Sequence, residues 1–229
     1  MRTLDPYEGS STRANKRFYE ILATDKEFRR VWMGIKPGQP VPELPAFHVE
    51  VSTRMREFGA ATSFISCWHM SEYESAFFWQ TYASQHDGVA IVSSVKRLSD
   101  CLALEPLPIY IGSVKYIDYD KDAIREGNTF IPIFHKRKSF APENEIRACI
   151  SHQGPMLALK KDIFQVQKSD FDSLPTSYLA SCNIPILIEK LVIAPTTPEW
   201  AANVVKAVCS KYEQSFTIEK SSILDPAIF

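Results

Sequence analysis

Glycine is scarce in this chain, 8 residues of 229, and none of the glycine-bearing catalytic signatures is present. There is no G-x-G-x-x-G, no Walker loop and no G-x-S-x-G elbow, so the backbone cradles those motifs build for phosphates and nucleophiles are excluded. No H-E-x-x-H occurs either. Cysteine is thin and scattered: Cys67, Cys101, Cys149, Cys182 and Cys209 are odd in number and never spaced as C-x-x-C. That argues against a disulfide framework or a thiolate metal ribbon and for reduced, mostly buried thiols in a cytoplasmic protein. Charge of one sign is missing too, with 26 basic against 27 acidic residues and a net charge of -1, so no global field draws the chain to nucleic acid or an anionic membrane. No signal peptide or long apolar span is seen, and no membrane association is expected.

What is present is an ordinary globular balance, 45 % hydrophobic and 12 % aromatic, enough for one sizeable core. The expectation is a single domain over 1–229. Apolar positions Phe18, Ile21 and Leu22, then Phe28, Val31 and Trp32, recur at helical spacing, which predicts one or two amphipathic helices. "IKPGQPVPELP", with four of the fifteen prolines, is a surface loop. A helix through "FHVEVSTRMREFG" is expected to stop at Gly59. "ATSFISCW" follows as a strand, and "MSEYESAFFWQTYASQHDG" as a helix capped by Ser71, with Glu72 and Glu74 near its positive end. "GVAIVSS" reads as a buried strand, "SVKRLSDCLAL" as a helix and "IYIGSVKYIDY" as one strand. The last third yields "EIRACI" as a strand, "IPILIEKLVIAP" as a strand pair or helix-to-strand segment, the helix "TPEWAANVVKAVCSKY" and a short strand at "FTIEKSSIL". Without repeats or a strict βαβ rhythm, this is an α+β fold: a mixed, mostly antiparallel sheet with flanking helices.

Two polar constellations stand out. In "HKRKSFAPENEIRACI" (135–150) the alternation Glu143, Glu145, Arg147 puts three charges on one strand face, with Ile146 as the core residue of the other. Two carboxylates and an arginine so placed tune one another's proton affinity, which makes Glu143 and Glu145 candidate catalytic groups. Lys136, Arg137 and Lys138 form a candidate anion-binding rim with Arg147. The competing account is an edge-strand face of surface ion pairs. In "SCWHMSEYESAFFWQTY", Trp68 and His69 end a strand while Trp79 and Tyr82 sit on the next helix. Trp68 and Tyr82 are a candidate stacking wall for a base or nicotinamide-like ring, and His69 is a third candidate acid or base. Trp79 reads as core. Cys67, His69, His86 and His135 lack zinc-ligand spacing, so no metal is expected, and Cys67 lacks the context of a nucleophile. "DPYEG", with Asp5, Tyr7 and Glu8, reads as a capped turn.

Taken together, "DPYEGS", "FISCWHMSEYESAFFWQTY" with "DGVAI", "IGSVKYIDY", "HKRKSFAPENEIRA", "LVIAP" and "SSILDP" make the chain resemble a family of uncharacterised, mostly bacterial and archaeal proteins, domain of unknown function 2971. On that resemblance, the family's usual first strand before Asp5 is expected to be missing, since the sequence begins almost at that turn. The resemblance carries no established activity, but it places Trp68, Trp79, Tyr82, Lys136, Arg137, Phe140, Glu143, Glu145 and Arg147 inside shared motifs. Separately, Glu143-Asn144-Glu145 is similar to the Glu-x-Glu of ADP-ribosyltransferases, with Ser63 and Ser66 of "ATSFIS" weakly like their Ser-Thr-Ser strand; this points to a nucleotide-handling enzyme with NAD as a candidate ligand. The alternative is a non-catalytic module holding a phosphate, a nucleotide or a nucleic-acid end, in stress or phage defence.

Overall fold

The computed structural model describes residues 7–43, 47–83, 88–125, 128, 130–158, 165–166 and 168–227. In chain order its elements begin with helices α1 (Arg13–Thr24), α2 (Lys26–Trp32) and α3 (Phe47–Thr62), strand β1 (Ser63–His69), α4 (Ala76–Tyr82), β2 (Val89–Val92) and α5 (Val95–Cys101). Then come β3 (Ile109–Ser113), β4 (Lys115–Ile117), β5 (His135–Arg137) and β6 (Glu145–Ser151), with short 3-10 helices at Ile131–Phe134 and Lys138–Glu143. The chain closes with α6 (Gly154–Leu157), α7 (Lys168–Asp172), α8 (Ile184–Leu187), β7 (Lys190–Ile193), α9 (Glu199–Lys211) and β8 (Thr217–Lys220). The expected α+β class holds, and three of the five strand pairings are antiparallel.

Within this α+β domain the chain forms two compact units, each made of two separate stretches: Met1–Met70 with Leu107–Tyr178, and Ser71–Pro106 with Leu179–Phe229. The first holds the sheet β1-β6-β3 and the parallel pair β4-β5; the second holds the sheet β2-β7-β8. In the first sheet β6 is the central strand, antiparallel to both neighbours, with Cys67 and Gly112 opposite Arg147 and His69 opposite Glu145. Gly112 packs closely on its neighbour: a Cβ there would come within 3.2 Å of the Phe134 ring, which would have to give by a few tenths of an ångström.

Several local expectations are corrected. Gly59 does not stop α3, because it is not among the glycines with positive φ; the helix runs on to Thr62, whose hydroxyl donates to the Phe58 carbonyl at 2.8 Å, and passes directly into β1. Ser71 does not cap α4. Its hydroxyl is used in a local turn with Tyr73, and Ser75 caps a shorter helix instead. Strand β2 is an edge strand with Val89 and Ile91 exposed, not a buried one. The single strand expected over 109–119 breaks at Val114, whose amide donates to the Glu145 carbonyl at 2.8 Å, so that β4 leaves β6 and pairs in parallel with β5. The 184–195 segment is a helix followed by a strand.

The entry into β6 depends on Asn144. It lies in the left-handed region at φ 38 and links the 3-10 turn to the strand, a conformation that asparagine tolerates and β-branched residues do not. Asn144→Val is expected to lower unfolding free energy by about 1–2 kcal/mol, with Asn144→Gly keeping the turn; chemical denaturation of the two variants measures the difference.

Candidate functional site

The left-handed residue has a direct consequence for the charged stretch. Glu143 is not part of the strand; it ends the 3-10 turn, and only Glu145 and Arg147 alternate on β6. Nor is the charged face the outer one. Arg147 is 0 % and Glu145 7 % exposed, whereas Ile146, expected to be the core residue, is only half-buried. An edge strand of surface ion pairs is therefore excluded: β6 is central and its charges are inside.

A buried guanidinium must have partners for its donors. Arg147 Nε donates to Glu145 at 2.6 Å, one terminal nitrogen donates to the Ile133 carbonyl and the other to the carboxylate of Glu8. Lys136, buried on β5, donates to Glu143 and, at 2.7 Å, to Glu145. Glu145 is the hub. Its amide donates to the Tyr116 hydroxyl at 2.8 Å, and its carbonyl accepts from Val114. Glu143 thus meets Glu145 at Lys136 and directly, rather than through strand alternation.

Glu8 reaches this centre from the turn Tyr7–Ser10, closed by a 2.9 Å bond from the Ser10 amide to the Tyr7 carbonyl. The chain after it is pinned by Thr12, which caps α1, and by buried Asn15, whose amide group bonds both ways with the Ile124 backbone at 2.8 Å. Of "DPYEG", Asp5 and Pro6 lie outside the described residues; residues 7–9 form a turn, and it delivers a site residue. Glu8 was not singled out for the site because its partner Arg147 lies 139 positions away, a separation that local spacing does not register.

Three carboxylates face two cations, and the environments of Glu143 and Glu145 drive those two apart. Burial raises Glu143 and its hydrogen bond with Glu145 raises it further, against Lys136. Burial would raise Glu145 as well, but hydrogen bonds with Glu143, Arg147 and Lys136 hold it down at about 2. Burial opposes the charge on Arg147 and on Lys136, yet their carboxylate partners hold both above the ordinary values for their side chains. Side-chain exposure grades outward from Arg147 at 0 % through Glu145 at 8 % and Lys136 at 10 % to Glu8 and Glu143 at 16 %. Glu8 and Glu143 are thus the most exposed of the five.

The other expected residues are distributed as follows. His69 shares the face of Glu145, and its Nδ1–H donates to the Glu143 carbonyl at 2.8 Å, which fixes the turn carrying that carboxyl. Cys67 lies on the same face. Although its residue surface is exposed, the packing around its thiol and the carboxylates of Glu145 and Glu8 push it up to about 12 despite Arg147, so it is not a thiolate nucleophile at neutral pH. Trp68 occupies an alternate position of β1, opposite Ile146, and its indole N–H donates to Ser66 at 3.0 Å; both project to the other face of the sheet. Ser63 and Ser66, three residues apart on β1, face opposite sides.

The basic rim is split as well, with Lys136 and Arg137 on β5 and Lys138 opening the 3-10 turn. Arg137 stacks over Tyr7 at 4.7 Å and Phe140 at 5.4 Å, while Lys138 is largely exposed, 3.8 Å from Asp122. Tyr82 belongs to the second unit, packed on Phe78 at 5.2 Å, and Trp79 is half-buried there with its indole N–H on Glu74 at 3.1 Å. His86 lies outside the described residues. Among the described residues no cluster of three His, Cys, Asp or Glu suited to a metal occurs, and no helix is long and apolar enough to cross a membrane. No protein-family model, curated protein or solved structure matches the chain.

Removing one partner of a buried ion pair strands the other. Arg147→Met is expected to cost about 3–5 kcal/mol in chemical denaturation, whereas Lys138→Met, at an exposed pair, costs less than about 1 kcal/mol. The acid limb follows from Glu145. A carboxyl whose pKa is depressed on folding, from 4.5 to about 2, contributes stability that is present above pH 4.5 and lost as the pH falls towards 2. Glu143 has the opposite sign: its contribution is full below the ordinary carboxylate value and lost as the pH rises through its raised one. Unfolding followed from pH 5 to 2 should therefore show a loss that Glu145→Gln flattens and Glu143→Gln does not.

Proposed function

We propose that this protein is a nucleotide-handling enzyme in which Glu143 and Glu145 work as a proton-transfer and charge-stabilising pair on the glycosidic bond of a nucleotide, with NAD as the first substrate to test. The observation that carries this reading is the meeting of two carboxyls, Glu143 and Glu145, on the buried Lys136 ammonium, a setting that raises the one and holds the other at about 2. Paired carboxyls pushed apart in proton affinity are the arrangement by which a site assigns an acid and an ionised stabiliser. Glu145, ionised throughout the physiological range, is the group suited to positive charge developing at a sugar C1′ as the base departs. Glu143, nearer the surface and holding its proton more tightly, is suited to exchange a proton with the leaving base or the incoming water.

His69 acts through the backbone of Glu143 as a positioning residue. Lys136 and Arg147 already have carboxylate partners. A phosphate would have to compete with Glu8, Glu143 and Glu145 for them, so the non-catalytic phosphate-binding alternative is the less supported. The resemblance to domain of unknown function 2971, and with it a prokaryotic setting, is kept as part of the proposal.

The test is release of nicotinamide from NAD, followed by chromatography, with the wild type and with Glu145→Gln and Glu143→Gln. Glu145→Gln is expected to lower kcat by about 10²–10³-fold, and Glu143→Gln to remove one limb of the pH–rate profile. Absence of any hydrolysis or transfer from NAD and other nucleotides by the folded wild type would overturn the proposal.

A further inference from the structure

Away from the carboxylate centre, the second unit brings two thiols together. Cys101 ends α5 and is 1 % exposed, its thiol donating to the Leu98 carbonyl at 3.2 Å. Cys182 lies just before α8 and is less buried. The segment that carries it is held along the end of α5 from both sides: the Asn183 amide donates to the Cys101 carbonyl at 2.8 Å, and the Ser181 amide donates to the Glu105 carboxylate at 2.8 Å. Between these two bonds Cys182 neighbours Cys101, closely enough for its side chain to raise the proton affinity of the Cys101 thiol. Cysteines on segments joined by a backbone hydrogen bond one residue away need little movement to reach the Cα separation of roughly 4.4–6.8 Å that a disulfide spans.

The place of the pair in the chain gives it a consequence. The chain leaves the second unit after Pro106 and re-enters it at Leu179, so Cys101 precedes the departure and Cys182 follows the return by a few residues each. A bond between them would close the whole excursion Leu107–Tyr178 into a covalent loop. We propose that Cys101 and Cys182 are a reversible redox site that forms this disulfide by exchange with a low-molecular-weight disulfide such as oxidised glutathione.

The exchange balances in two steps. The Cys182 thiolate attacks one sulfur of the small disulfide, forming a mixed disulfide and releasing one small thiolate. Cys101 then loses its proton and attacks the Cys182 sulfur, the Cys101–Cys182 bond forms, and the second small thiolate leaves. The protein dithiol is oxidised by two electrons and the small disulfide is reduced to two thiols, which take up the two protons lost. Burial, and next the neighbouring Cys182, push the Cys101 thiol up to about 12, so the less buried Cys182 opens the exchange and Cys101 completes it slowly.

The full chain is incubated with oxidised glutathione, capped with an alkylating reagent, and analysed by intact mass and by tryptic peptide mapping. The proposal expects loss of two hydrogens, a cross-linked peptide pair containing Cys101 and Cys182, and a thermal midpoint raised by about 5–10 °C. All three are reversed by a thiol reductant, abolished in Cys182→Ser and retained in Cys209→Ser. A glutathione adduct that persists on Cys182 without internal displacement, cross-links to other cysteines, or two unmodified thiols after prolonged oxidation would overturn it. The peptide map of the wild type decides this even if a serine variant folds poorly.

Discussion

The first unit is organised around one buried guanidinium. Arg147 sits in the middle strand of a three-stranded sheet with no exposed surface, and a charge so placed is tolerated only when it is paired and its donors are satisfied. That requirement explains features otherwise unrelated. The turn at Tyr7–Ser10 must bring Glu8 across the chain, the Ile131–Phe134 helix must present the Ile133 carbonyl, and β6 must begin with a glutamate. Gly112, facing Arg147 from β3, leaves room for the Phe134 ring that covers this side.

Satisfying Arg147 creates the second constraint. Two carboxylates recruited to one cation, joined by Glu143 and a second cation at Lys136, leave one negative charge more than the cations neutralise. In a partly desolvated setting this surplus raises proton affinity, and the carboxyl whose affinity is raised is Glu143. The reactive character proposed for the pair thus follows from how a buried arginine is accommodated, and the graded exposure from Arg147 outward leaves Glu143, with Glu8, at the more exposed edge.

Much of this was legible in the chain. The alternation of Glu145 and Arg147, the strand that carries them and the preceding basic cluster were visible as period-two patterning and as composition. The α+β class followed from the mixture of helical and strand periods. What was misread has physical causes. Treating Glu143 as a strand residue assumed that extended backbone continued through Asn144, whereas a single left-handed residue ends the turn there. Ile146 was assigned to the core on hydrophobicity alone, although the sheet buries its charged face more deeply, which only long-range partners permit. Glu8 and Tyr116 were not assigned to the site because the contacts that define their roles span 139 and 29 positions. Trp68 and His69 are adjacent in sequence and therefore project to opposite faces of β1, so one of the two had to be lost from the site.

The account turns on the unequal proton affinities of two neighbouring carboxyls. Titration of the folded protein by carboxyl ¹³C NMR, with Glu143→Gln and Glu145→Gln to assign the signals, measures them directly. Glu145 should remain ionised down to about pH 2 while Glu143 keeps its proton above the ordinary value of 4.5. Two carboxyls titrating together near that ordinary value would contradict the account.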